Sequence, residues 1–379
     1  YLYIFLYDVP PPDDLRVVLG TYQPPLFRYF DGHIAWIGII PIIILLRDWV
    51  RARRVIIALA TVMTINTFAT IWEYFSPMPM FFKILFQFRA AGETQEGYRI
   101  RDPFGLYFSM TLFFGLLYML GYARRLRTNL FIILYIFAFL FVLIITKNRI
   151  LWAGVLLFLP FALLWKSPQA FLRQAVVFGI TLLVGSALLL HPFVYNIVSR
   201  IVDEAEERWS RTFAFGGDPR FDPSYQFRQR EREAWEHNYP RLSTFQKLFG
   251  AGLQTPYGFY TTSKYVEGYQ RLPYVIYFQK DGMHFAWLGR LWRYGWVGIA
   301  LLITFFITFF IRSIYLFFKY SHDFTYRAII VGIVGATVGV LAFDSLHMML
   351  QRSDSVPVII MWSLIELIPH WSRSDMSDN

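Results

Sequence analysis

Long stretches without a charged residue constrain this chain more than any other feature of its sequence. Residues 104–123, FGLYFSMTLFFGLLYMLGYA, and residues 130–146, LFIILYIFAFLFVLIIT, contain no Asp, Glu, Lys or Arg. A helix that crosses a bilayer needs about 20 predominantly apolar residues. Charged residues make up only 16% of the whole chain, whereas soluble domains contain about 25%. The sequence therefore predicts an all-α polytopic membrane protein.

We expect about 9–10 transmembrane helices in the chain. The predicted spans are 34–46, 55–72, 104–123, 130–146, 150–165, 174–195, 294–318, 327–345 and 356–370, and residues 1–7 would be the end of another helix. Because the chain begins with apolar sequence at Tyr1 and has no initiator Met, we expect further N-terminal helices to precede it. The absence of cysteine excludes disulfides, cysteine-ligated zinc and thiol catalysis.

Short basic loops predict the orientation of these helices. If the helices alternate, the loops 47–54, 123–127, 166–173 and 312–327, which contain Lys and Arg, all fall on one side. Such loops are typical of the cytoplasmic side, so we assign that side to the cytoplasm. The predicted domains are transmembrane helices with short loops in 1–195, a large and mostly helical outer loop in 196–283, C-terminal transmembrane helices in 284–371 and a cytoplasmic tail in 372–379.

The outer side carries more arginines than the same rule predicts. The arginines that we select as anion ligands are Arg89, Arg149, Arg211, Arg228 and Arg232. Guanidinium groups bind phosphate through two parallel hydrogen bonds, so the cluster indicates a polyanionic ligand at the outer membrane surface. Arg149 stands out because it has no acidic neighbour in sequence and lies at a predicted membrane boundary. The alternative is that many of these arginines pair with nearby acids, such as Glu231 and Glu233, on solvated helix faces.

The sequence DGMHFAWLGRLWRYGWVG marks the change from the outer loop to apolar sequence. Asp281 and His284 share one face if this stretch is helical, because residues three apart are neighbours on a helix. Histidine titrates near neutral pH and suits a general base, which Asp281 would orient. Gly295 and Gly298 would permit a close helix contact. In the alternative interpretation, His284 caps a helix and the nearby tryptophans form an interfacial aromatic belt.

Four landmarks, taken in order, resemble those of the O-antigen ligase/polymerase superfamily of bacterial inner-membrane glycosyltransferases. They are RAAGETQEGYRIRDPFGLYFSM (89–110), TKNRILWAGVL (146–156), FRQREREAWEHNYPRLSTFQKLFGAG (227–252) and HFAWLGRLWRYGWVG (284–298). The last is similar to the family's His-[Asn/Ser/Gln]-x9-Gly-x-x-Gly motif, with Gly295 and Gly298 in register. Phe285 departs from that motif at the position after the histidine, which favours a polymerase over a ligase.

The resemblance implies a GT-C-like fold and a multi-pass protein of the bacterial inner membrane whose active site faces the periplasm. Members transfer a glycan from undecaprenyl pyrophosphate to an acceptor hydroxyl without a metal or another cofactor. His284 would then be the general base, Asp281 would fix its tautomer, and the selected arginines would bind the pyrophosphate. The implied partners are the lipid-linked donor, a glycan or lipid A-core acceptor, membrane lipids and a chain-length regulator, with no nucleic acid among them.

Three functions stay open at the level of the sequence. The first is a polysaccharide polymerase that extends a lipid-linked chain, and the second is an O-antigen ligase that delivers the finished glycan to lipid A-core. The third is a transporter of anionic or lipid-linked solutes, but the nearly charge-free helix interiors and the basic outer loops favour a transferase. Outer-loop aromatics such as Trp235 and Tyr239 would either stack on sugars or build a small loop core, and the second interpretation is favoured.

Overall fold

A computed structural model of the 379-residue chain describes its helices and part of its connecting segments. The described residues are 39–75, 90–91, 99–100, 103–120, 122, 126–145, 149–164, 166–176, 239–251, 258–259, 276–277, 286–347 and 355–377, with isolated positions between 179 and 236. The described residues form the helices α1 (Ile39–Leu45), α2 (Trp49–Phe75), α3 (Pro103–Met119), α4 (Leu126–Ile145), α5 (Arg149–Leu164), α7 (Ala286–Lys319), α8 (Phe324–His347) and α9 (Ser355–Ser377), of which α1 is only seven residues long. Between α5 and α7 lie a 3-10 turn (Tyr239–Arg241) and the short helix α6 (Thr244–Phe249).

Four stretches of helix among the described residues are long and apolar enough to cross a membrane. They are Trp49–Trp72, Arg127–Ile144, Trp287–Lys319 and Phe324–Leu341, and Tyr107–Met119 is a shorter apolar helix. This confirms the predicted class of α-helical membrane protein. The GT-C-like arrangement and the periplasmic position of the outer loop stay predictions.

Two helices begin earlier than the hydrophobic pattern predicts. α2 begins at Trp49 and so includes most of the predicted basic loop 47–54. Asp48 explains this start, because its Oδ1 accepts a hydrogen bond from the Val50 backbone N–H at 3.0 Å and so caps the helix. α7 begins at Ala286, ahead of the predicted span 294–318. A helix that leaves the bilayer can continue through polar sequence, so hydropathy alone does not locate its end.

Two pairs of two-residue strands accompany the helices among the described residues and leave the predicted all-α class unchanged. β1 (Ala90–Ala91) pairs antiparallel with β2 (Arg99–Ile100), and β3 (Gly258–Phe259) pairs antiparallel with β4 (Ile276–Tyr277). Both pairs lie in segments that connect the long apolar helices. Water can satisfy the open edges of a small sheet there, whereas inside a bilayer only helices and closed barrels satisfy the backbone.

The described residues form two compact units by their contacts. The first contains those within Phe213–Ile311 and Phe343–Ser353, and the second contains those within Trp36–Thr212, Arg312–Ala342 and Asp354–Asn379. In the second unit, α3 packs against α2, α4, α5 and α9. Its aromatic side chains Phe113 and Phe114 are fully buried, as expected for a helix surrounded by others.

Polar side chains and small residues hold the helices of the second unit together. The Thr337 hydroxyl of α8 is hydrogen-bonded to the Tyr107 hydroxyl at 3.1 Å and accepts a bond from Trp362 Nε1 at 2.9 Å. Gly154 and Gly339 bring α5 and α8 close, because a Cβ added at Gly154 would lie 2.7 Å from the Gly339 Cα. Helices associate in lipid largely through such close contacts and polar pairs, since lipid tails provide no hydrophobic driving force.

Lys166 caps the end of α3. Its side chain is buried, and its Nζ donates hydrogen bonds to the carbonyls of Leu117 at 2.6 Å and Leu120 at 2.8 Å and to the Gln174 amide oxygen. The last carbonyls of a helix have no partner within the helix, so a lysine there satisfies them. Burial lowers the pKa of the Lys166 amine to about 7.

Replacing Lys166 with methionine is expected to destabilise the second unit. Lys166→Met keeps most of the apolar stem but leaves two buried carbonyls without their donor, and each such loss costs about 1–3 kcal/mol. The thermal midpoint of the purified protein in detergent should fall clearly. Lys319→Met is the matched control, because Lys319 is exposed at the end of α7 and should change the midpoint little. Equal midpoints for the two variants would contradict the capping role.

Candidate functional site at the start of α7

The helix α7 is broken at Gly295. This residue has φ 65° and ψ −173°, a left-handed backbone conformation that favours glycine. As a continuous helix, the 34 residues of α7 would be about 51 Å long at about 1.5 Å per residue. The part after the break, 296–319, is about 36 Å long and matches the ~30 Å hydrocarbon core. We therefore assign 286–294 to the membrane–water interface and 296–319 to the span.

The short helix α6 is a well-capped element of the segment between α5 and α7. The Ser243 hydroxyl accepts a hydrogen bond from the Gln246 backbone N–H at 3.2 Å, and the Gln246 side chain accepts one from the Ser243 N–H at 3.0 Å. This reciprocal capping box begins the helix at Thr244. The helix ends at Gly250, whose φ of 93° turns the chain sharply. The sequence STFQ followed by KLFG therefore encodes both ends of α6.

The end of α6 docks onto the break in α7 through backbone contacts. The Ala251 N–H donates a hydrogen bond of 2.7 Å to the Trp292 carbonyl, one of the helix-end carbonyls that a break leaves without an intrahelical partner. A Cβ at Gly250 would overlap the Arg293 carbonyl, and a Cβ at Gly295 would overlap the Leu248 carbonyl. No residue with a Cβ fits at position 250 or at position 295 without a shift of the backbone. We call this contact, made by 248–251 and 292–295, the glycine junction.

Aromatic and aliphatic side chains cover the glycine junction. Ala251 and Trp292 are buried at its centre, and Trp235, Tyr239, Leu242 and Leu288 pack against them. The Trp235 and Tyr239 rings stack with their centroids 4.4 Å apart. This supports the interpretation that these two aromatics build a small core, which holds the 239–251 segment on the first part of α7.

Arg290 is buried within the interfacial part of α7. Its side chain is only 1% exposed, and its guanidinium carbon lies 5.1 Å from the centre of the Trp287 ring, within the range of a cation–π contact. Arg290 was not among the arginines selected from the sequence. The available signal was an arginine inside an apolar stretch at a membrane boundary, where ionisable residues are often functional. A second signal was Trp287, which lies one helical turn before Arg290 and can therefore contact its guanidinium.

Comparison with protein-family models, curated proteins and solved structures found no match. The superfamily resemblance therefore rests on the four sequence landmarks alone. The landmarks 227–252 and 284–298 supply the described residues of the glycine junction.

Most of the residues selected from the sequence lie outside the described residues. These are Arg89, Arg211, Arg228, Asp281 and His284. The predicted convergence of Arg149 with the outer-loop arginines, and the orientation of His284 by Asp281, stay predictions. α7 begins at Ala286, two residues after His284 in the sequence.

The structure places two of the selected arginines. Arg149 is the first residue of α5, one residue before the predicted span 150–165. Arg232 is exposed and forms an ion pair with Glu236, with Nε and Oε1 2.8 Å apart. This is the kind of pairing on a solvated face that the alternative interpretation predicts. Exposed pairs one helical turn apart contribute only about 0.3–0.5 kcal/mol, so Arg232 can exchange Glu236 for another anion at low cost.

The structure corrects the expectation for Gly295. The spacing of Gly295 and Gly298, three residues apart, predicts a close contact between helices. Gly295 instead breaks the helix, and the backbone of 248–250 packs against it. Gly298 is helical. The spacing of apolar residues does not reveal a positive φ, so a helical break and a helical contact look alike in the sequence.

Proposed function

We propose that this chain is a glycosyltransferase that polymerises lipid-linked saccharide units from a polyprenyl-pyrophosphate donor. The observation that carries the proposal is the glycine junction. It joins two of the four landmarks, 227–252 and 284–298, which are far apart in sequence and would have to cooperate in one active site. The arrangement supports a site at the interfacial start of α7.

The interfacial position suits the chemistry of this donor. A polyprenyl tail resides in the bilayer, while its pyrophosphate and glycan lie at the membrane surface. The length of α7 supports a position of 286–294 at that surface, because 296–319 alone is long enough to cross the hydrocarbon core. The buried Arg290 adds a positive charge there, in surroundings from which water is excluded, where electrostatic interactions are stronger than in water.

The proposed reaction forms one glycosidic bond and releases the polyprenyl pyrophosphate. The acceptor oxygen attacks the anomeric carbon, and the proton of the acceptor hydroxyl passes to His284. The bond between the anomeric carbon and the pyrophosphate oxygen breaks, and its electron pair stays on that oxygen. Negative charge grows on the leaving pyrophosphate, so arginines placed in advance stabilise the transition state more than the ground state. Pyrophosphate leaves readily without protonation, so the His284 base is the main proton-transfer group that the reaction needs.

Reconstitution tests this function against its alternatives. The full-length protein in proteoliposomes would be given a polyprenyl-pyrophosphate-linked repeat unit, and the products separated by size. A polymerase yields a ladder of lengthened lipid-linked chains without any other acceptor. A product only when lipid A-core is present would identify a ligase instead. Movement of the donor or of an anionic solute across the bilayer without a new glycosidic bond would contradict transferase activity and favour transport.

Arg149→Ala is expected to reduce the rate of transfer at least about a hundredfold, the usual effect of losing one donor to a developing negative charge. Arg149→Lys should restore little, because an ammonium group cannot form the two parallel hydrogen bonds of a guanidinium. The measurement is the initial rate in the same proteoliposomes. Arg173→Ala is the control, since Arg173 is exposed in the predicted cytoplasmic loop. Similar rates for Arg149→Ala and Arg173→Ala would exclude Arg149 from the site.

A further inference from the structure

The short helix α6 exposes an apolar face. Phe245, Leu248 and Phe249 are 45%, 43% and 42% exposed, although α6 lies in a segment whose other apolar residues pack at the glycine junction. Positions i, i+3 and i+4 lie on one face of a helix, so the three side chains form one patch. The centroids of the Phe245 and Phe249 rings are 4.8 Å apart. A helix of a soluble protein would turn such a face toward its core.

The glycine junction fixes the depth of this patch. The backbone of Leu248 contacts Gly295, and Gly295 immediately precedes the membrane-crossing part of α7. α6 therefore lies level with the first turn of that span. In the same turn, Trp296 is 56% exposed and Val297 is also exposed. Exposed apolar side chains therefore flank the glycine junction on both α6 and α7, and one of them is a tryptophan, a residue enriched at the surfaces of membranes.

The polar groups of the same segment point to a bilayer surface. Lys247 lies on the opposite side of α6 from the patch, and its Nζ donates a hydrogen bond of 3.0 Å to the Pro240 carbonyl. Arg241 is exposed just before the helix. An apolar face bordered by basic side chains is the composition of helices that lie in the plane of a membrane interface.

We propose that α6 is an interfacial membrane anchor, with Phe245, Leu248 and Phe249 inserted at the boundary between lipid headgroups and acyl chains. The occupant of the patch is bilayer lipid, because the patch lies beside the junction from which the membrane-crossing part of α7 begins and exposed apolar residues of that part lie next to the same junction. The anchor would hold the end of the outer loop against the membrane through both the glycine junction and the lipid. This inference concerns membrane contact and does not depend on the proposed transferase activity.

The absence of native cysteine makes the anchor directly testable. Single-cysteine variants Phe249→Cys and Lys247→Cys would each carry an environment-sensitive fluorophore in the full-length protein. The protein would be placed in nanodiscs of phosphatidylethanolamine and phosphatidylglycerol. Nitroxide-labelled lipids would report contact with the bilayer, and aqueous iodide would report contact with water. Leu301→Cys supplies a lipid-facing reference, because Leu301 is exposed within the span.

The expected result is a clear difference between the two faces of α6. The label at Phe249 should be quenched by the lipid nitroxides at a depth of about 5–10 Å and protected from iodide, whereas the label at Lys247 should show the reverse. Leu248→Cys provides an independent position on the same face if Phe249→Cys does not fold. Iodide quenching of both faces without lipid quenching would overturn the proposal.

Two other occupants of the patch give distinct results. If the patch binds the polyprenyl chain of a donor, lipid quenching at Phe249 should be weak until a polyprenyl pyrophosphate is added. If it binds a second copy of the chain, protection from iodide should disappear in nanodiscs that contain a single copy. Either result would overturn the assignment to bilayer lipid.

Discussion

Gly250→Ala and Gly295→Ala are each expected to destroy the glycine junction. Both glycines have positive φ values, which cost other residues about 1–2 kcal/mol. In addition, each new Cβ would overlap a backbone carbonyl, Arg293 for Gly250 and Leu248 for Gly295, and such overpacking costs about 1–3 kcal/mol. A backbone carbonyl cannot rotate away as a side chain can. We therefore expect the 239–251 segment to detach from α7 or the first unit to fail to fold.

Limited proteolysis of the purified protein would measure this effect, because a detached 239–251 segment becomes a substrate for cleavage next to Arg241 and Lys247. Gly179→Ala is the matched control, since a Cβ at Gly179 would meet nothing within 4 Å. Both junction variants should be cleaved much faster than this control, and the transfer rate should fall with them. Cleavage at the same rate in all three proteins would mean that the contact does not hold the segment.

The class of the protein could be predicted from the sequence because lipid imposes a simple rule. Uncharged stretches such as 104–123 and 130–146 have few folded states other than membrane helices. The ends of the helices followed less well from the same pattern. α2 extends beyond its apolar part to Trp49 because Asp48 caps it, and hydropathy carries no information about caps.

The site could be predicted only in part, because its contacts are tertiary. The sequence indicated that both the segment ending in FGAG and the segment RYGWVG matter, but not that Ala251 would donate a hydrogen bond to Trp292. Nothing in the local sequence encodes that pairing across the long intervening loop. Arg290 was missed for a related reason. Its charge was visible, whereas its burial depends on the elements that pack around it.

His284→Ala is expected to nearly abolish transfer and to leave donor binding largely intact. A general base contributes about 10²–10⁴-fold to the rate. In the proposed reaction His284 receives the acceptor proton and the arginines bind the pyrophosphate, so the loss should appear in the rate of bond formation and not in the affinity for the donor. His322→Ala is the matched control, because His322 lies exposed in the turn between α7 and α8. It should behave as wild type.

Asp281→Asn should have a milder effect that identifies its role. In the proposed arrangement the Asp281 carboxylate orients the His284 ring and stabilises its protonated form, so removing the charge should move the rise in rate to lower pH. The maximal rate should fall less than in His284→Ala, because the base itself is retained. Rates measured across pH in proteoliposomes, together with donor binding to each variant, would decide between the roles. A His284→Ala protein that loses donor binding in parallel with its rate would identify His284 as a pyrophosphate ligand, and one that keeps its rate would make the residue structural.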